Sequence, residues 1–304
     1  MARVRGYEGM AIQVFLPGRF GSRQLYQFVR EVIGEDGQPV SGSLIFDFSR
    51  LTFIDGIGLT VFCNTLEWLS KRGVQCTFRE YDIRNLPIRY LDDCGFFRNY
   101  LGRPLSSLSR VRTTTLPFEK VQHANSFGWI ELTAIPWLAS KLNVTDESLG
   151  VVATSLKEIF NNIEDHSDEH IGCVHIQLYP NKSRIEITVS DFGRGIPANI
   201  ISRFGQMFDS KAIEYATREG VTTGNTSRNT GSGLGVLIDY VTGEGGDVTI
   251  YSRKGGLKCT LRRGGIQWRN PWVGEGLYPG TLINIGLRTD AFDGSLLERE
   301  AFEW

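Results

Sequence analysis

The sequence predicts a mixed α/β (α+β) protein built as two units. Three observations predict it. Over the first hundred residues, runs of strand character alternate with runs of helical apolar spacing. A polar stretch at 102–118, with Gly102, Pro104, several serines and threonines, and Pro117, reads as a connector. Beyond it the pattern changes to helices followed by a hairpin, glycine-rich turns and late strands. The expected units are 1–105 and 119–304, with 106–118 as the linker.

Each element has a local reason. Residues 10–16 and 43–48 concentrate β-branched and aromatic residues between turn signals, so both read as strands. Between them Leu25, Phe28, Val29 and Val32 fall at helical spacing, and Gly34 stops that helix. A second helix follows Asp55-Gly56, with Leu59, Phe62, Cys63, Leu66 and Leu69 on one face and Gly73 as its stop. Val74 to Phe78 reads as a strand, and Ile83 to Tyr100 as a partly helical segment punctuated by Pro87 and Gly95. After the connector come a helix near Pro136 to Leu142, a longer one from Asp146 to about Asp165, and a hairpin from Cys173 to Val189 turning at Pro180-Asn181-Lys182-Ser183. A glycine-rich, polar region is expected over 192–235, and strands at 247–252 and 281–287.

Bulk numbers exclude several classes. With 41% hydrophobic residues in 304, the chain can bury a sizeable core. The net charge of −1, from 33 basic and 34 acidic residues, provides no field for nucleic acid or an anionic membrane. Five scattered cysteines suggest reduced thiols rather than a disulfide framework or zinc site. The apolar stretch from Met10 to Leu16 is interrupted by Gln13 and followed by Pro17, Gly18 and Arg19, which argues against a signal peptide. No apolar run approaches the ~20 residues that cross a bilayer. A soluble, cytoplasmic protein is expected.

The run Ile45-Phe46-Asp47-Phe48-Ser49-Arg50-Leu51-Thr52-Phe53-Ile54-Asp55-Gly56-Ile57-Gly58-Leu59 resembles the signature of STAS domains, the fold of anti-sigma-factor antagonists, and Ile88 to Phe96 looks like that family's last helix. The resemblance covers roughly residues 8–101. It departs at one informative place: the position where phosphorylated members usually carry serine is Ile57, which offers no hydroxyl. Asp55 reads as a helix N-cap. The unit is therefore expected to be an interaction or docking module.

In the helix from Asp146, Leu149, Val152, Leu156, Ile159 or Phe160, and Ile163 form the buried stripe. Glu158, Asn162 and Asp165 or His166 share another face and can point at one ligand. The string from Glu158 to Ser167 resembles the N box of the GHKL (Bergerat) ATPases, histidine-kinase-like α/β sandwiches. The resemblance implies Asn162 as a Mg²⁺ ligand and Glu158 as the catalytic base. Asp191-Phe192-Gly193-Arg194-Gly195 follows a strand and resembles the DxGxG box, whose aspartate accepts from the adenine exocyclic amine. Such an acceptor discriminates against guanine, whose carbonyl would leave it unpaired. Gly231-Ser232-Gly233-Leu234-Gly235 opens an apolar helix and offers free backbone amides to phosphates. Residues 198–230 take the place of the ATP lid, with Lys211, Arg218 and above all Arg228 as cations for phosphate. Thr281 falls where the family's late threonine lies beside the adenine aspartate. Residues 255–278, with Trp268 and Trp272, are an extra segment, read either as a partner surface or as a loop packed on the sheet. The resemblance covers roughly 119–290.

The expected cofactors are ATP and Mg²⁺. No phosphoacceptor histidine stands on an evident dimerisation helix, which disfavours a sensor histidine kinase; His123 is read as lying outside any clear long helix. Two functions are carried forward. One is a partner-switching regulator resembling the anti-sigma-factor serine kinases, acting on a STAS or anti-sigma-type protein partner. The other is a nucleotide-gated interaction protein with slow or no hydrolysis. A homo-oligomer is left open.

Overall fold

The computed structural model describes residues 11–166, 171–218, 221, 233–262, 265 and 267–291, with backbone alone at 165, 166 and 171. In the N-terminal unit β1 (Ile12–Phe15), β2 (Arg19–Phe20), α1 (Leu25–Val32), β3 (Ser43–Asp47), β4 (Phe53–Ile54), α2 (Gly56–Lys71), β5 (Gln75–Arg79), α3 (Leu86–Asp93) and α4 (Phe96–Leu101) follow in order. The parallel sheet runs β1-β3-β5, and β2 pairs with β4 in a second, two-stranded piece that the sequence reading did not include. Pro87 sits in the first turn of α3, where a missing N–H costs nothing. Gly95, left-handed at φ 84°, separates α3 from α4 as expected.

The second unit contains β6 (Thr115–Gln122), α5 (His123–Trp129), α6 (Ile135–Leu142), α7 (Gly150–His166), β7 (Ile171–Tyr179), β8 (Arg184–Asp191), α8 (Ile196–Phe204), α9 (Asp209–Ala216), α10 (Gly233–Gly243), β9 (Asp247–Leu261) and β10 (Gln267–Arg288). Its antiparallel sheet has the order β6-β7-β8-β10-β9. Residues 115–118, read from sequence as connector, belong to β6, where Thr115 and Leu116 pair with Gln177 and Ile176 of β7. The expected helix near Pro136 is the last part of a longer run. A π turn over Ile130–Ala134 joins α5 to α6, and the amide of Ile135 reaches back to the Ile130 carbonyl. Pro136 has no N–H to give to the carbonyl four residues earlier, and the widened turn accommodates it.

Three further expectations are corrected. The region read as glycine-rich and polar contains α8 and α9. The helix expected from Asp146 begins as a 3₁₀ turn over Glu147–Leu149 before α7. The extra segment 255–278 is not a loop packed on the sheet: its Gly255–Leu261 pairs with Gln267–Val273, extending β9 and β10. Trp272 packs edge-on against Tyr251 at 5.4 Å, and Tyr251 in turn meets Tyr26 of α1 at 6.4 Å.

Strand alternation divides the five-stranded sheet into two faces. One face carries Val174, Ile176, Ile185, Ile187, Val189, Ile283 and Ile285 into a core with α5, α6, α7 and α10. The other packs on α1 and α2 of the N-terminal unit, so that Cys173, Phe192, Tyr251, Tyr278 and Leu282 join that unit's core of Phe20, Phe28, Phe46, Phe48 and Phe62. Helix α2 is consequently buried on nearly every side, from Gly56 through Leu66, rather than on the single face expected.

Candidate functional site

Asp191 closes β8, and alternation from Ile187 and Val189 puts it on the helix-bearing face. Its Oδ1 accepts from the Gly193 amide at 2.7 Å. Thr281 stands directly opposite in β10, and its amide also hydrogen-bonds the carboxyl. Desolvation outweighs these bonds and pushes the Asp191 pKa from 3.8 up to about 7. A carboxyl so perturbed, beside a glycine turn, is a strong candidate for ligand recognition.

The turn is held by a residue that sequence reasoning missed. Ser252, fully buried at the bend of β9, accepts from the Ile196 amide at 3.0 Å and donates to the Gly280 carbonyl at 2.6 Å. It thereby ties the Gly193–Gly195 turn to the strand of Thr281, whose hydroxyl lies 3.3 Å away. Gly195 adopts φ 78° against that serine. Gly280 is needed for close approach: at φ 102°, a Cβ there would fall 2.3 Å from the Asp191 carbonyl oxygen. A serine inside a strand carries no sequence signal. Gly280 stood next to Thr281 in plain view.

The second cluster joins α7 to the start of α10. Glu158 and Asn162 lie one turn apart, and Asn162 is exposed while the stripe from Leu149 to Ile163, including both Ile159 and Phe160, is buried. Gly233, the first described residue of α10, lies so close to Glu158 that a Cβ would fall 1.6 Å from Oε2. The carboxylate of α7 and the first described residue of α10 are thus brought together. Leu234 packs on the helical core, and Gly235 lets the Thr217 carbonyl at the end of α9 approach. Helices α7 and α10 pack side by side on the sheet face that carries Asp191.

Arg228, Gly231 and Ser232 lie outside the described residues, as does the side chain of Asp165. Of the other lid cations, Lys211 is exposed and pairs with Glu214 at 2.8 Å, and Arg218 lies over the Tyr215 ring. His123 is helical after all, as the first residue of α5, with Nε2 3.0 Å from Asn161 Oδ1, so it ties α5 to α7. Among the described residues no group of three or more His, Cys, Asp or Glu is assembled that could hold a metal.

Residues 151–263 match the family described as Histidine kinase-, DNA gyrase B-, and HSP90-like ATPase. This segment is a GHKL-type ATPase domain. The matched stretch takes in Glu158, Asn162, Asp191 and the glycine turn, while the whole of β10, Thr281 included, lies beyond it. Over 90 residues the chain is also 38% identical to Hybrid signal transduction histidine kinase D of Dictyostelium discoideum, covering 28% of this chain and 5% of that protein's length.

Proposed function

We propose that the chain is an ATP- and Mg²⁺-binding regulatory protein of the partner-switching type, acting as a serine/threonine kinase on a protein partner. The observation that carries the nucleotide reading is Asp191: a desolvated carboxyl on the helix-bearing face, fastened between the Gly193 turn and Thr281. It suits the exocyclic amine of adenine, which would supply the donor that desolvation denies it. The glycine start of α10 would receive phosphates. The exposed amide of Asn162 would hold Mg²⁺ with nucleotide oxygens and water completing the shell, which fits a chain whose described residues form no metal cage of their own. Glu158, against Gly233, would take the proton of the attacking hydroxyl.

The resemblance of the N-terminal unit to STAS domains supports a partner of STAS or anti-sigma type. A second reading, nucleotide-gated binding with slow or no hydrolysis, is favoured by the packing of that unit on the sheet that holds Asp191. No described helix is long and apolar enough to cross a membrane.

Titration calorimetry with ATP and Mg²⁺ tests the shared claim, and heat absent from the full chain would sink both readings. Labelled ATP supplied with a lysate then separates them. Label on a protein, lost in Glu158→Ala while ATP still binds, is the kinase result; binding without label or ADP is the gated result.

A further inference from the structure

The strand that presents Asp191 to the helix-bearing face presents its two neighbours to the other. Ser190 is buried and its hydroxyl accepts from Asn64 Nδ2 of α2 at 3.1 Å, while sharing a hydrogen bond of 2.5 Å with the Tyr278 hydroxyl of β10. Phe192, also buried, meets Trp68 of α2 edge-on at 6.2 Å and Tyr278 at 5.3 Å. Tyr278 lies just before Gly280 and Thr281 in the same strand. Both elements of the candidate adenine edge, the end of β8 and the 280–281 step of β10, are therefore gripped from behind by one helix of the N-terminal unit.

We propose that α2 sets the position of Asp191, so that the N-terminal unit regulates the affinity of the nucleotide site. The inference rests on the ATP-binding reading and names its regulation. In the layer between α2 and Asp191, Asn64, Ser190 and Tyr278 are hydrogen-bonded in a chain and Phe192 is wedged between Trp68 and Tyr278, so a shift of α2 cannot be absorbed without moving Ser190 or Phe192. Linkage then runs both ways: whatever displaces α2 changes nucleotide affinity, and nucleotide changes the freedom of α2 by the same factor.

The test uses the full chain, with ATP and Mg²⁺ as the probe. Asn64→Ala and Trp68→Ala, neither touching the nucleotide face, are expected to weaken ATP about fivefold or more. Trp68→Phe should stay within about twofold, and so should Val14→Ala, which loosens the same unit at β1 away from the sheet. Hydrogen exchange should slow across 56–71 when ATP is added to the unaltered chain. Equal affinity in the alanine variants, or an equal loss in Val14→Ala, would overturn the proposal. Should Trp68→Ala fail to fold, Asn64→Ala carries the same comparison. Should the unaltered chain bind no ATP, the functional reading fails by itself, and coupling is read without nucleotide: Asn64→Ala must speed exchange at amides 191–196, and unchanged exchange there refutes it.

Discussion

In the proposed reading Asp191 combines recognition with a cost. Its folded pKa, about 7, lies above the ordinary 3.8, so the folded chain favours the protonated form. That contribution to stability is complete below about pH 4 and is lost as pH rises through about 7. Asp191→Asn keeps an acceptor for the Gly193 amide without the buried charge. We predict that nucleotide-free Asn variant melts above the unaltered chain at about pH 8, that the gap closes by about pH 4, and that ATP affinity falls at least about tenfold. Thermal melts across pH, with calorimetry, check this. Gly233 gives a second prediction. Gly233→Ala meets the Glu158 carboxylate and is expected to cost about 1–3 kcal/mol. Adding Glu158→Ala should restore most of that loss in a denaturant double-mutant cycle, whereas additive losses would show that the two residues are not in contact.

At the scale of elements, α2 shows what the sequence carried and what it did not. Asp55 caps it as read, its Oδ1 accepting from the Gly58 amide at 2.9 Å. Burial, with Glu186 nearby, raises the Asp55 pKa from 3.8 to about 6. Stability from this group therefore declines as pH climbs from about 4 through 6. Asp55→Asn should retain the cap and gain on the unaltered chain over that range, while Asp55→Ala loses about 1 kcal/mol of capping; melts of both variants at two pH values decide it. The burial of both sides of α2 was written in its composition, since Glu67 is the sole acidic residue between Gly56 and Ser70 and no basic one occurs there. The partner face was not legible. His175, Thr188 and Ser190 give that face of the hairpin a polar character suited to solvent, yet α2 lies against them. Helices α8 and α9 were hidden by glycines at their borders, and the pairing of 255–261 with 267–273 by Gly255, Gly256 and Pro271 inside its strands. The turn joining Asp191 to Gly193 is set by backbone geometry within a few residues and so was legible, whereas the approach of Gly233 to Glu158 and of Thr281 to Asp191 depends on distant partners. Ser252 depends on a strand partner almost thirty residues away.

At the scale of the whole molecule, three layers stack: the N-terminal unit, the five-stranded sheet, and the helices that carry Glu158 and Gly233. His175 lies in the first of the two seams. It is fully buried, its Nδ1 has no partner, and desolvation holds its pKa down at about 4. A neutral imidazole is thus required for packing. Its contribution is present above about pH 6.5 and is lost as pH falls through about 4. His175→Leu is predicted to shift acid unfolding, followed by near-ultraviolet circular dichroism, to lower pH. A midpoint equal to that of the unaltered chain would mean that the ring is solvated.

The shared seam also decides how the protein can be cut. A fragment starting at residue 119 would lose half of β6 and lay bare Phe192, Tyr251, Tyr278 and Leu282 along the back of the sheet. Such a fragment should precipitate or dimerise through that apolar back. Anyone preparing the C-terminal half alone would do better to keep the whole chain, or to replace those four side chains with polar ones.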